Sequence, residues 1–143
     1  MSQKPSPAFI ASSWVALAIG IVCYNVGLWT AKNIELNEKG YYFTILMFGL
    51  FASVSLQKAV RDKMENIPVT PLYFGIAWTA TILSLLLLVI GLWNASVPLS
   101  ERGFYGIAFV LSLFAAIAVQ KNTRDLKKAE QISLQMKNTS TTL

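Results

Sequence analysis

Four long stretches without a charged residue dominate this chain. They cover 98 of its 143 residues, at positions 5–31, 40–57, 66–100 and 103–120. A helix needs about 20 mostly apolar residues to cross the hydrocarbon core of a bilayer. Because lipid offers no hydrogen-bonding partners to the backbone, each stretch must satisfy its own amides as a helix. The sequence therefore predicts an all-α integral membrane protein with four transmembrane helices, and it excludes a separate soluble enzyme or nucleic-acid-binding domain.

The two halves of the chain repeat the same series of short motifs. The offset is 64 residues through the first apolar run and 63 residues after it, so the second copy has one residue fewer in its loop. The matching motifs are Gly27-Leu28-Trp29 with Gly91-Leu92-Trp93, Leu50-Phe51-Ala52 with Leu113-Phe114-Ala115, and Gln57-Lys58 with Gln120-Lys121. This pattern predicts a tandem parallel repeat of a two-helix hairpin. Unit 1 covers residues 7–62, unit 2 covers residues 71–125, and residues 126–143 form a polar cytoplasmic tail.

Capping residues set the predicted helix bounds at about 7–30, 38–62, 71–94 and 101–126. Ser6 and Thr70 suit the N-cap position, and each is followed by a proline, which suits the first helical turn. Asn37 and Ser100 are the corresponding N-cap candidates for the second helix of each unit. Because the connection inside each unit is short, we expect its two helices to be antiparallel neighbours.

The basic residues are divided unequally between the two sides of the predicted bundle. Nine Lys and Arg residues lie at the N-terminus, in the linker between the units and after the last span, whereas the hairpin loops hold three. Loops rich in Lys and Arg stay in the cytoplasm. The sequence therefore predicts a multi-pass protein with its N- and C-termini in the cytoplasm.

Small residues recur at helical spacing along each predicted span. Apolar burial gives helices little reason to associate within lipid, and close contact through small residues supplies the attraction instead. We expect these stripes to form helix–helix interfaces, within one chain or between chains. The predicted packing residues are Ala16, Gly20 and Gly27 in the first helix, Gly49 and Ser53 in the second, Ala80, Ser84 and Gly91 in the third, and Ser112 and Ala116 in the fourth.

A polar motif, Gln-Lys-x-x-Arg-Asp, closes each unit and is called the collar below. Its spacing puts Lys and Asp four residues apart on a helix, which makes a modest ion pair. One interpretation is a structural collar that fixes the topology and ends each helix. The other is a two-copy site for an anionic lipid headgroup or an acidic partner, because basic residues beside a membrane attract anionic lipid. The collar residues are Gln57, Lys58, Arg61, Asp62, Gln120, Lys121, Arg124 and Asp125.

The chain is poor in groups that carry catalysis or ion coupling. It has no histidine, which is the commonest metal ligand and general base, and its one cysteine, Cys23, cannot form a disulfide within the chain. Asp, Glu, Lys and Arg are absent from the four apolar runs, where an ion pathway would place them. Asn25 is the most polar candidate there. We therefore expect no enzyme activity, no catalytic residues, no cofactor and no metal site.

The doubled pattern resembles the YiaA/YiaB family of bacterial inner-membrane proteins. The residues that carry the resemblance are Gly27-Leu28-Trp29, 36–43, Val60-Arg61-Asp62-Lys63, 91–95, Gly103-Phe104-Tyr105-Gly106 and 118–122. The resemblance covers about residues 7–125 and leaves out the polar tail. It implies a small integral protein of two hairpins in a bacterial cytoplasmic membrane, and it implies no particular activity.

Two classes of function remain open. The first is a structural or interaction protein, either a scaffold or an accessory to a larger complex, surrounded by the lipid bilayer and associated with a second copy or another membrane protein. The second is a transporter or channel for a small or apolar solute, which needs a polar path across the membrane. Residues that could line such a path are Asn25, Thr44, Ser53, Ser55, Thr79, Thr81, Ser84 and Ser112. An enzyme is the weakest reading, and no nucleic-acid partner is expected.

Overall fold

The computed structural model describes residues 4–142, and four helices make up the regular structure of this part of the chain. They are α1 (Pro7–Thr30), α2 (Leu36–Met64), α3 (Pro71–Asn94) and α4 (Leu99–Thr141). Each is long and apolar enough to cross a bilayer. The predicted fold class, an all-α protein with four membrane spans in two repeated units, is confirmed.

The first helix of each unit begins in the same way. The Ser6 Oγ accepts a hydrogen bond from the Phe9 amide at 3.2 Å, and the Thr70 Oγ1 accepts one from the Tyr73 amide at 3.2 Å. Both N-caps were predicted from the sequence. The second helices begin earlier than predicted, so Asn37 and Ser100 lie inside α2 and α4 and are not the N-caps.

The two second helices end very differently. A tight turn stops α2 after Met64, where Asn66 has a positive φ of 59° and Pro68 follows. By contrast, α4 continues to Thr141, so the expectation that its helix ends near residue 126 is wrong. The reason is that residues 107–141 contain neither glycine nor proline and are rich in Leu, Lys, Ala and Gln, which favour helix.

Helices pack between the units more than within them. α1 lies along α4, α3 lies along α2, and α2 contacts α4 at the centre, whereas α1 barely touches α2 and α3 barely touches α4. The expectation that short connections make packed neighbours is therefore wrong, although the chain direction does reverse at each connection. The units interlock, because each contributes one helix to each of the two packed pairs.

Equivalent residues of the two units make equivalent contacts, so the units are related by an approximate two-fold axis along the membrane normal. The rings of Tyr42 and its counterpart Tyr105 stack across this axis with centroids 6.3 Å apart. Tyr24 and Phe109 are buried beside them. The end of the bundle that carries the collar, the start of α1 and the linker between the units is called the terminal end, and the opposite end is called the loop end.

Candidate functional site

The interface between the units is built on two helix crossings, and each crossing pairs one glycine with one serine. In the α1–α4 crossing, a Cβ added to Gly20 would lie 2.5 Å from the Ser112 Oγ. In the α3–α2 crossing, a Cβ added to Gly49 would lie 3.2 Å from the Ser84 Oγ and 2.9 Å from the Phe109 Cζ. Gly20 and Ser84 are repeat counterparts, and so are Ser112 and Gly49. The same contact is therefore made twice with the two residue types exchanged.

A second pair of glycines holds the helices together near the loop end. A Cβ added to Gly27 would lie 2.8 Å from the Phe104 ring, and one added to Gly91 would lie 2.7 Å from the Tyr41 ring. Phe104 and Tyr41 are repeat counterparts. Only the tyrosine carries a hydroxyl, and it donates a hydrogen bond to the Leu87 carbonyl at 2.5 Å.

The predicted packing residues all lie at least partly inside the bundle. Six of them are buried and four are half-buried. The buried ones are Gly20, Gly49, Ser53, Ser84, Ser112 and Ala116, and the half-buried ones are Ala16, Gly27, Ala80 and Gly91.

A second polar contact at the interface also has no counterpart in the repeat. The Asn122 Nδ2 donates a hydrogen bond to the Ser13 Oγ at 3.2 Å, and Asn122 is 2% exposed. The corresponding residues in the α3–α2 pair are Ala59 and Ala77, both buried. Sequence reasoning missed this contact. The signal was the change from alanine to asparagine at one position of the repeat.

The collar residues of the two units meet at the terminal end. Arg61 on α2 forms an ion pair with Asp125 on α4, and Arg124 on α4 forms one with Asp62 on α2. Within each helix, the expected lysine–aspartate pair is present: the distance from Nζ to carboxylate is 2.9 Å for Lys58–Asp62 and 3.0 Å for Lys121–Asp125. Arginines on each helix therefore neutralise carboxylates on the other.

Glu65 joins this cluster from just beyond the end of α2, and the sequence did not single it out. Its carboxylate accepts hydrogen bonds from the Arg61 Nε at 2.7 Å and the Arg124 Nη2 at 3.0 Å, and it lies 3.5 Å from the Lys128 Nζ. Lys128 is the repeat counterpart of Glu65, so the position carries opposite charges in the two units.

Neighbouring arginines and lysines lower the pKa of these carboxylates. Hydrogen bonds from Arg61 and then Arg124 lower the pKa of Glu65 to about 2. Lys58 and Arg124 lower the pKa of Asp62 below its ordinary value, even though burial raises it. Burial also raises the pKa of Asp125, but its partners outweigh burial and the net pKa is lowered. The carboxylates thus remain charged near neutral pH, and the ion pairs persist.

The remaining collar residues are less engaged. Gln57 and Gln120 are half-buried, and the Gln57 Oε1 has no hydrogen-bond partner among the described residues. The guanidinium groups of Arg61 and Arg124 are used in contacts between the units. The side chains of Lys58 and Lys121 are about half exposed, although each amine also pairs with an aspartate of its own helix.

Five of the eight polar residues that could line a path donate hydrogen bonds to carbonyls of their own helices. The hydroxyls of Ser53, Ser84 and Ser112 donate to carbonyls three or four residues earlier, at 3.0, 2.7 and 2.7 Å respectively. Thr81 and Asn25 do the same at 2.8 Å. The other three candidates are Thr44 and Thr79, which are exposed, and Ser55, which is half-buried.

Comparison with known proteins gives a consistent result. Residues 9–62 and 73–125 each match the family described as the yiaA/B two helix domain. The chain is 59% identical over 120 residues to the inner membrane protein YiaA of Escherichia coli (strain K12), which covers 84% of this chain and 82% of that protein. It is 30% identical over 96 residues to the inner membrane protein YiaB of the same organism, covering 67% of this chain and 80% of that protein. No solved structure matches.

A shorter match is found in a second organism. The chain is 34% identical over 64 residues to the uncharacterized membrane protein YubF of Bacillus subtilis (strain 168). This alignment covers 45% of this chain and 74% of that protein. The relative therefore has room for one two-helix unit and a short remainder.

Proposed function

This chain belongs to the yiaA/B two-helix-domain family, and from that premise we propose that it is a structural or accessory protein of the bacterial inner membrane. The inner-membrane location is carried over from the names of its relatives in Escherichia coli. We propose that the terminal end lies in the cytoplasm, because nine of the chain's 12 Lys and Arg residues lie on that side of the spans. In the proposed role, the protein forms a stable helical bundle in the membrane, and its lipid-facing surfaces contact other membrane proteins.

The use of the buried polar groups supports a structural role. Ser13, Asn122 and the collar all join one unit to the other. The serines at the crossings donate to their own helices and leave room for a close backbone approach. A transporter would need polar groups that remain free to contact a solute. The observation that carries the proposal is that the Asn122–Ser13 hydrogen bond and the arginine–aspartate pairs of the collar join one unit to the other.

As a secondary role, we propose that the collar binds anionic lipid headgroups. We assign contact with anionic headgroups to Lys58 and Lys121, since their side chains are about half exposed while each amine also pairs with an aspartate of its own helix. Each basic residue beside the membrane contributes about 1 kcal/mol to such attraction. Exchange of both lysines for glutamine should reduce co-purifying anionic lipid, whereas exchange of Lys127 and Lys137, farther along α4, should leave it unchanged.

The proposed role is tested by gentle detergent extraction followed by mass spectrometry of the intact assemblies. We expect the chain in complexes, either with further copies or with another membrane protein. A homogeneous monomer that drives flux of a solute into proteoliposomes would contradict the proposal and establish a transporter. The collar variant Lys58→Gln with Lys121→Gln, run in parallel, separates loss of lipid from loss of protein partners.

A further inference from the structure

A cavity opens at the loop end of the bundle, where the end of α1 meets the start of α4, and it is called the loop-end cavity below. Its volume is about 510 Å³. Its wall carries charged and polar side chains as well as apolar ones. Among the lining residues are Ala31, Lys32 and Asn33 from the hairpin loop of unit 1, and Glu101, Phe104 and Tyr105 from the start of α4. Both units therefore contribute to this cavity.

Two residues of the cavity wall carry an acceptor without a partner. Glu101 is half-buried, and its carboxylate forms neither an ion pair nor a hydrogen bond within residues 4–142. The Ala31 carbonyl also accepts no hydrogen bond within these residues, whereas the carbonyl of its counterpart Ala95 accepts one from the Arg102 Nη2 at 2.8 Å. Ala31 is the C-cap of α1, so the negative end of the helix dipole lies here too. These features favour a cation that donates hydrogen bonds.

The same wall carries donors. The Tyr105 side chain belongs to a residue that is only 4% exposed and stacks on Tyr42, yet its hydroxyl makes no hydrogen bond within the described part of the chain. Polar groups of buried side chains normally have a partner. Lys32 is exposed and pairs with no carboxylate among the described residues. A hydroxyl and an ammonium together suit an anionic oxygen such as that of a phosphate, because hydrogen bonds to charged groups are strong.

The equivalent position in the other half is satisfied from within the chain. Tyr41 replaces Phe104 there, and its hydroxyl donates to the Leu87 carbonyl at 2.5 Å. Arg102 donates to the Val97 carbonyl at 3.1 Å as well as to Ala95. Its counterpart Lys39 donates instead to the Trp29 carbonyl at 3.3 Å, inside α1, and leaves the Ala31 carbonyl free of it. The unpartnered groups of the loop-end cavity therefore belong to one side of the repeat.

We propose that the loop-end cavity binds a zwitterion that joins a primary ammonium to a phosphate, as in a phosphoethanolamine headgroup. Glu101 and the Ala31 carbonyl accept hydrogen bonds from the ammonium, and the Tyr105 hydroxyl and Lys32 bind the phosphate. The cavity lies beside the last turn of α1, where Trp29 is 45% exposed. Aromatic side chains at the end of a span mark the depth of the lipid headgroups, so a phospholipid reaches this site directly. The cavity lies at the opposite end from the collar, and the inference does not depend on the proposed structural role.

Lipid titration followed by native mass spectrometry tests the proposed chemistry. The purified protein in detergent is titrated with phosphatidylethanolamine and, separately, with phosphatidylcholine that has the same acyl chains. The two headgroups have the same net charge, but the choline nitrogen has no N–H to donate. Because hydrogen bonds to charged groups are strong, we expect the choline lipid to bind about tenfold more weakly. Equal binding of the two lipids would overturn the proposal.

Glu101→Gln locates the binding within the cavity. Loss of the carboxylate charge should weaken binding of phosphatidylethanolamine about tenfold. Glu38→Gln is the matched control, because Glu38 is the repeat counterpart, lies in the first turn of α2 as Glu101 lies in that of α4, and is exposed. It should leave binding unchanged. Unchanged binding by Glu101→Gln, or an equal loss in both variants, would contradict the site.

Tyr105→Phe separates binding from stability. The variant should weaken lipid binding several-fold, because it removes the donor to the phosphate. Its thermal midpoint without lipid should match that of the unaltered protein, since the hydroxyl makes no hydrogen bond within the described residues. A lower midpoint with unchanged lipid binding would assign the hydroxyl to the bundle and overturn its role in the cavity.

Soluble phosphoethanolamine distinguishes the two sources of the headgroup chemistry. A rise in the thermal midpoint with this solute alone, absent in Glu101→Gln, would support the cavity and identify a free zwitterion as its occupant. A rise with phosphatidylethanolamine alone, again absent in Glu101→Gln, would support the cavity and identify a membrane lipid. A protein that binds neither probe would overturn the proposal and leave the structural role untouched.

Discussion

The α1–α4 and α3–α2 crossings have the same architecture but opposite residue choices. Gly20 faces Ser112 in the first, and Ser84 faces Gly49 in the second. Two copies of unit 1 paired in this geometry would place glycine against glycine and leave a gap. Two copies of unit 2 would place serine against serine. That contact would be too close, because even a Cβ added to Gly20 would lie only 2.5 Å from the Ser112 Oγ.

The same complementarity extends to the terminal end. Glu65 and its counterpart Lys128 approach each other across the axis. Pairing of like units would bring together two carboxylates or two ammonium groups. The two units have therefore diverged as partners, and each carries a different residue of the glycine–serine and glutamate–lysine contacts. Substitutions at these contacts, and acid at the terminal end, should affect stability to different degrees.

Gly49→Leu should break the α3–α2 crossing outright. The added Cβ would lie 2.9 Å from the Phe109 ring, and the larger leucine side chain would clash further with its neighbours. Overpacking of this kind costs about 3 kcal/mol. Thermal unfolding in detergent is the measurement. Phe48→Leu on the neighbouring, half-buried position is the control, and equal tolerance of the two variants would contradict the assigned interface.

Gly20→Ser should turn the α1–α4 crossing into a serine–serine contact and destabilise the bundle by about 2 kcal/mol. Adding Ser112→Gly should restore part of the stability, because it removes the Oγ that would lie 2.5 Å from the added Cβ, while the backbone N and Cα of residue 112 remain at 3.0 and 3.2 Å. The double variant is the sharper measurement. If it proved as unstable as Gly20→Ser alone, the two crossings would not be interchangeable.

Glu65→Lys should place two like charges on the axis and lose the hydrogen bonds from Arg61 and Arg124. We expect a loss of about 1 kcal/mol, since the site is partly solvated and exposed ion pairs contribute little. Glu65→Lys combined with Lys128→Glu should recover most of it, because the axis places the new carboxylate near the same arginines. Failure of this rescue would show that the position is not symmetric.

Acid should loosen the terminal end before it affects the crossings. The pKa of Glu65 is lowered from 4.5 to about 2, so its stabilising effect is present above pH 4.5 and is lost as the pH falls toward 2. Asp62 and Asp125, whose pKa values are also lowered, act in the same direction. Unfolding followed between pH 6 and 2.5 should show this decline. Glu65→Gln should flatten part of it, and an unchanged slope would argue against the ion pairs.

Most of the secondary structure could be predicted because its causes are local. Ser6-Pro7 and Thr70-Pro71 mark the first helices to the residue, since a cap and a proline act within one turn. The end of α4 was missed because a polar sequence was read as a tail, although no glycine or proline interrupts it. The Lys58–Asp62 and Lys121–Asp125 pairs were predictable from spacing, whereas the arginine–aspartate pairs between helices were not.

The four spans, their repeat and the stripes of small residues follow from the sequence. Each helix in lipid must satisfy its own backbone, so its formation depends on nearby residues. Which stripe packs against which other stripe is visible only in the folded bundle. Helical periodicity shows that Gly20 and Gly49 lie on packing faces, but it does not say whether those faces turn toward the same unit or the other one. The pairing of the faces depends on contacts between residues that are far apart in the sequence, glycine with serine and arginine with aspartate. These contacts join the two units.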